Sequence, residues 1–101
     1  MSIAELIKAV ESGTFLMDVF EDGRTERIAY EAFGGSLNDA KALHEALLPG
    51  WFPGLSQNVH SGFWFAWVQT KDEKHFSATE ADPARAWLLA ILRALEQEGR
   101  E

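Results

Sequence analysis

The sequence has 101 residues, 47% of them hydrophobic, with four Trp and seven Phe, which suits one domain (residues 1–101) burying roughly 60–70% of the surface its unfolded chain exposes. Cysteine is absent, so disulfides and thiolate metal sites are excluded and a reducing compartment fits. The formal charge of −7 is spread as nine acids against four bases in residues 1–50 and seven against five in residues 51–101; this balance opposes phosphate binding and permits a basic protein partner.

The N-terminus, MSIAELIKAVESG, has no basic segment leading into an apolar block, and no apolar run approaches the roughly 20 residues a membrane span needs. A cytoplasmic protein is expected. Ser2 and Glu5 form a capping box, and Ile3, Leu6, Ile7 and Val10 share a stripe, which predicts a first helix stopped by Gly13. Thr14–Phe20 is apolar but too short for periodicity to separate strand from helix. Asp22-Gly23 can close a hairpin between it and Arg27–Phe33, yet Ile28, Ala29, Ala32 and Phe33 also share one side of a helix over 25–33. Both readings stand, with the helix preferred, and the acids between Asp18 and Glu31 then read as a solvated face.

Gly35–Trp51 holds the sharpest local signals. Ser36 is an N-cap with Asp39 three residues on, so a helix begins at Leu37. Leu37, Ala40, Leu43, His44, Leu47 and Leu48 form its apolar stripe, and Pro49-Gly50 ends it. After the connector Phe52-Pro53-Gly54 the period falls to two. Leu55–His60, Phe63–Thr70 and Glu73 or Lys74 to Thr79 predict a β-meander, with Ser61-Gly62 as a two-residue hairpin signal. In the middle strand Phe63, Phe65 and Trp67 point one way and Trp64, Ala66 and Val68 the other. Both faces are apolar, which predicts helices above and below the sheet. The expected fold is therefore α+β: a three-layer α/β/α sandwich with a three-stranded antiparallel meander and three or four helices. Asp82 caps the last helix and Pro83 occupies its first position; Ala84, Trp87, Leu88, Ile91, Ala94 and Leu95 make its buried stripe, whereas Leu89 falls among Arg85, Arg93, Glu96 and Gln97 on the far side. Leu89 is thus a candidate apolar contact.

Few residues suggest chemistry. His44-Glu45 begins like HExxH, but the second histidine position is Leu48, and the apolar stripe makes His44 a hydrogen-bonded residue at the core edge. His60 and His75 fall on neighbouring strands, beside the aromatic middle strand; a small-molecule pocket or an enzyme using that wall is the alternative reading, although two ligands without a third make a weak metal site. There is no nucleophile elbow, phosphate loop or dinucleotide fingerprint, and no cofactor is implied. The order helix, three strands, helix is shared with double-stranded RNA-binding domains, but the last helix opens Asp82-Pro83-Ala84-Arg85-Ala86, without the basic cluster that meets phosphates there. Nucleic acid is not the expected partner.

Gly35-Ser36-Leu37, Leu43-His44, Leu47-Leu48-Pro49-Gly50-Trp51 and Asp82-Pro83-Ala84-Arg85-Ala86, followed by Leu92-Arg93-Ala94, together resemble the phage ABA sandwich family of small phage and prophage proteins. The resemblance covers about a third of the chain and does not extend through Phe15–Tyr30. It implies a three-layer α/β/α sandwich and carries no catalytic or ligand residues. With the acidity, it leads to the expectation of a non-enzymatic accessory protein acting on a host or phage protein with a basic surface, in concrete form an inhibitor of a nucleic-acid-guided host defence complex. The candidate contact residues are Asp18, Glu21, Asp22, Glu26, Glu31 and Leu89. A homo-oligomer covering the sheet face or edge is a further option.

Overall fold

Side-chain caps decide where most of the helices begin. In a computed structural model that describes residues 2–99, helix α1 (Ile3–Glu11) starts on the expected capping box: the Glu5 N–H donates to Ser2 Oγ at 3.2 Å and the Ser2 N–H donates to Glu5 Oε1 at 3.0 Å. Helix α2 (Gly23–Phe33) is capped by Asp22, which accepts from the N–H groups of Arg24 and Thr25 and from the Thr25 hydroxyl at 2.8 Å. Once that carboxylate satisfies free donors of the first turn, helix is the better solution. It starts two residues before the expected Thr25, and the hairpin alternative is absent. Helix α3 (Leu37–Leu47) has Ser36 as its cap, and α4 (Pro83–Gln97) has Asp82 with Pro83 in the first turn.

Thr14–Phe20 is neither strand nor helix. Asp18 adopts a left-handed φ of 65°, which breaks any regular run. The segment is apolar because it straps the core: Val19 is buried, Phe15, Leu16 and Phe20 pack against buried residues, and the Phe15 ring meets Tyr30 edge-on at 5.4 Å.

Strands β1 (Phe52–Gln57), β2 (Trp64–Gln69) and β3 (His75–Glu80) form an antiparallel meander in the order β1-β2-β3, with Gly54 opposite Trp67 and Ala66 opposite Ala78. The first strand begins three residues before the expected Leu55, since an edge strand tolerates Pro53. It also ends early. Asn58 Oδ1 accepts from the N–H groups of His60 and Ser61, and Gly62 N–H donates to the Asn58 carbonyl, so residues 58–63 make a longer loop in place of a two-residue hairpin.

The α+β class, the antiparallel meander and the four helices are those expected. The layer order departs from expectation. α4 is the middle of the molecule: the sheet packs on one side of it, while α1, α2 and α3 pack against the rest of its surface and none of them has an extensive contact with a strand. Leu88, Leu89, Ala90, Ile91 and Leu92, which span every direction around a helix, are all buried. The inner face of the sheet, with Ala66, Val68 and Ala78, lies on the core. Its outer face is left open.

Candidate functional site

The sequence motifs singled out above turn out to be structural latches. His44 on α3 is 4% exposed, with Nε2 3.0 Å from the Trp51 carbonyl oxygen and Nδ1 3.3 Å from Trp87 Nε1. Indole N–H can only donate, so Nδ1 accepts and Nε2 carries the proton and donates to Trp51. One neutral imidazole thereby ties α3, the turn into β1 and α4 together. Arg85 forms the second latch. Its Nε and Nη2 donate to the Phe33 carbonyl at 3.3 and 3.2 Å, and its guanidinium lies 4.2 Å over the Phe33 ring. That carbonyl belongs to the C-terminal turn of α2, where a cation is favoured.

A shallow depression of about 430 Å³ opens beside the first latch, lined by Lys41, His44, Glu45, Pro49, Trp51 and Trp87 among others. Both nitrogens of its histidine are committed to the protein, which leaves that ring no free position for proton transfer or metal binding. His60 and His75 are not brought together either. His60 lies in the 58–63 loop and His75 pairs with Gln69, five residues along β2 from the Trp64 end that the loop adjoins, roughly 17 Å away at strand spacing. Among the described residues no group of three or more His, Asp or Glu is placed to hold a metal ion, and no helix is long and apolar enough to cross a membrane.

Of the candidate contact residues, Asp18, Glu21, Asp22 and Glu26 gather at the N-terminal end of α2, because the Asp18 N–H donates to Glu26 Oε1 and Glu21 precedes the cap. Glu31 lies apart, on the far turn of the same helix, about 13 Å from Asp22 along the axis. Two of these acids have structural roles: Asp22 caps the helix, and hydrogen bonds from Thr25 and Arg24 hold its carboxyl below the usual range, while Glu26 holds the strap. The carboxylates of Asp18, Glu21 and Glu31 are exposed. Leu89 is not a surface residue. It is 1% exposed, since α1–α3 cover the side of α4 that its own sequence marks as polar.

Sequence reasoning missed the open sheet face. Its β1 row is Phe52, Gly54 and Ser56, its β2 row Phe65, Trp67 and Gln69, and its β3 row His75, Ser77 and Thr79. Phe52 is 48% exposed, Phe65 38%, and Phe63 at the mouth of β2 49%. Phe65 and Trp67 lie side by side, with ring centroids 5.6 Å apart. Gly54 makes room for this arrangement: a Cβ there would fall 1.9 Å from Trp67 Cε2, so the indole lies flat across β1. A legible signal existed. The chain has nine basic and sixteen acidic residues, and none lies between Ala46 and Thr70. The molecule thus carries its charge on the helices, on the segment before α2, on the 71–74 turn and at Glu80 at the end of β3, and presents an outer sheet face that is aromatic and free of Asp, Glu, Lys and Arg.

No protein-family model, curated protein or solved structure matches the chain.

Proposed function

We propose that the protein acts without catalysis, by contact between its acidic helical side and a basic surface of another protein. The observation that carries this reading is the pairing of exposed carboxylates at Asp18, Glu21 and Glu31 with a depression whose histidine is fully engaged in structure. Acidic surfaces steer and orient basic partners. The setting we propose is a phage or prophage, and the specific target a nucleic-acid-guided defence complex of the host cell, whose basic channel an acidic surface fits by charge; this rests on the resemblance of the Gly35–Trp51 and Asp82–Ala94 stretches and on the net charge of −7.

The test is an affinity pull-down of the tagged protein from host cytoplasm, beside a variant with Asp18→Asn, Glu21→Gln and Glu31→Gln. Asp22 and Glu26 are kept, because their loss would damage α2 itself. A partner enriched by the native protein and lost with the triple variant supports the reading. No enriched protein at gentle salt, or equal enrichment by both, refutes it.

A further inference from the structure

We propose that the open face of the sheet is a docking surface for a second copy of this chain, the two sheets stacking about a twofold axis. This surface is distinct from the acidic one and does not depend on it. The face holds no Asp, Glu, Lys or Arg, and it carries the rings of Phe52, Phe63, Phe65 and Trp67, the three phenylalanines exposed. Depletion of charge together with enrichment of Phe and Trp is the composition of an interface core.

Charge selects the occupant. A basic or acidic partner finds no counter-charge on this face. Two copies, each at −7, repel one another over their helical sides, whereas the outer rows of the sheet let them meet without opposing like charges. Edge-to-edge pairing is blunted on both sides: Pro53 removes a donor from β1, and Arg93 Nη1 donates to the Ser77 carbonyl of β3 at 2.6 Å. Face-to-face stacking is what remains, and it is an ordinary arrangement for sheets about 10 Å apart. Gly54 contributes by letting the Trp67 indole lie close over β1, and a depression of about 410 Å³ beside Phe63, Phe65 and Thr79 offers room for a ring of the other copy.

Size places this contact among the small, transient interfaces. Three strands of six residues span about 20 by 14 Å, and the relief of the rings with the 58–63 loop raises this to roughly 500–600 Å² per copy, at the low end for a specific interface. A dimer in reversible, concentration-dependent exchange follows.

The experiment is sedimentation equilibrium on the full chain from about 1 μM to about 500 μM, a range suited to an interface of this size. The average mass is expected to rise from 11.3 kDa towards twice that value. Phe65→Glu and, separately, Phe52→Glu should remain monomeric with unchanged far-UV circular dichroism and melting; two positions guard against one variant failing to fold. Added salt should strengthen the dimer about 3- to 10-fold by screening the repulsion between copies. A native protein that stays monomeric throughout, two folded variants that both dimerise normally, or a dimer that weakens in salt would each overturn the proposal.

Discussion

Replacing His44 tests the latch that joins three elements. His44→Ala removes the bonds to the Trp51 carbonyl and the Trp87 indole, each contributing about 1 kcal/mol, and leaves a hole where a 4% exposed ring stood, for about another 1–2 kcal/mol. The sum is about 3–4 kcal/mol. Trp51 and Trp87 border the open depression, so water can replace part of the lost bonding and the lower end is expected. A domain of this size has roughly 5–15 kcal/mol in total, and the loss corresponds to a fall in Tm of about 12–25 °C. Urea unfolding followed by far-UV circular dichroism gives the free energy directly. The cycle His44→Ala, Trp87→Phe and the double variant should show a coupling of about 0.5–1.5 kcal/mol. A single-variant cost below about 1 kcal/mol, or a coupling indistinguishable from zero, would refute the shared hydrogen bond as a stabilising link.

Three further substitutions probe other joints. Arg85→Lys keeps the charge but loses the fork on the Phe33 carbonyl and the planar stacking on its ring; about 1–2 kcal/mol of stability should go, read by the same unfolding assay. Gly54→Ala drives a methyl into the Trp67 indole, with an expected cost of about 1–3 kcal/mol and a changed tryptophan emission as the ring swings off β1. Glu80 is partly buried on the sheet; burial raises its pKa above the ordinary 4.5, with Arg85 opposing. Its contribution to stability is complete below the unfolded value and lost as pH rises through the folded one, so Glu80→Gln should melt higher than the native protein near pH 7 and no higher at pH 3–4. Glu5 and Asp22, held below their ordinary values by hydrogen bonds from Ser2 and from Thr25, work in the opposite direction and lose their stabilisation as pH falls.

The caps were legible because they are local chemistry. Ser2 with Glu5, Ser36 with Asp39 and Asp82 with Pro83 state within four letters where a helix begins, and the structure starts α1, α3 and α4 there. Period two likewise found the strands and which residues share a face. What period two does not encode is which face is covered. In FWFAWV both phases are apolar, and the cover belongs to α4, whose own all-round burial arises from three helices distant in sequence. Leu89 was misplaced for the same reason: its helix neighbours Arg85 and Arg93 are charged, but α1–α3, distant in sequence, pack against α4 and bury it. Thr14–Phe20 had composition without period, because an irregular strap buries its side chains by position along the core instead of by a repeating angle.

The two proposed surfaces have a joint consequence. Because α4 separates the sheet from α1–α3, a twofold axis through the sheet face turns both acidic ends of α2 outward, away from the interface. Such a dimer grips a partner at two places when the partner is multivalent or densely arrayed, and the second contact is then intramolecular. Binding of the native protein to its captured partner on a sensor surface should therefore depend on partner density. On a dense surface Phe65→Glu, which keeps every acidic side chain but cannot pair, should dissociate about 10- to 100-fold faster than the native protein. On a sparse surface the two should be alike. Equal dissociation on the dense surface would separate the two proposals: the acidic contact would stand, and the sheet face would have no part in binding.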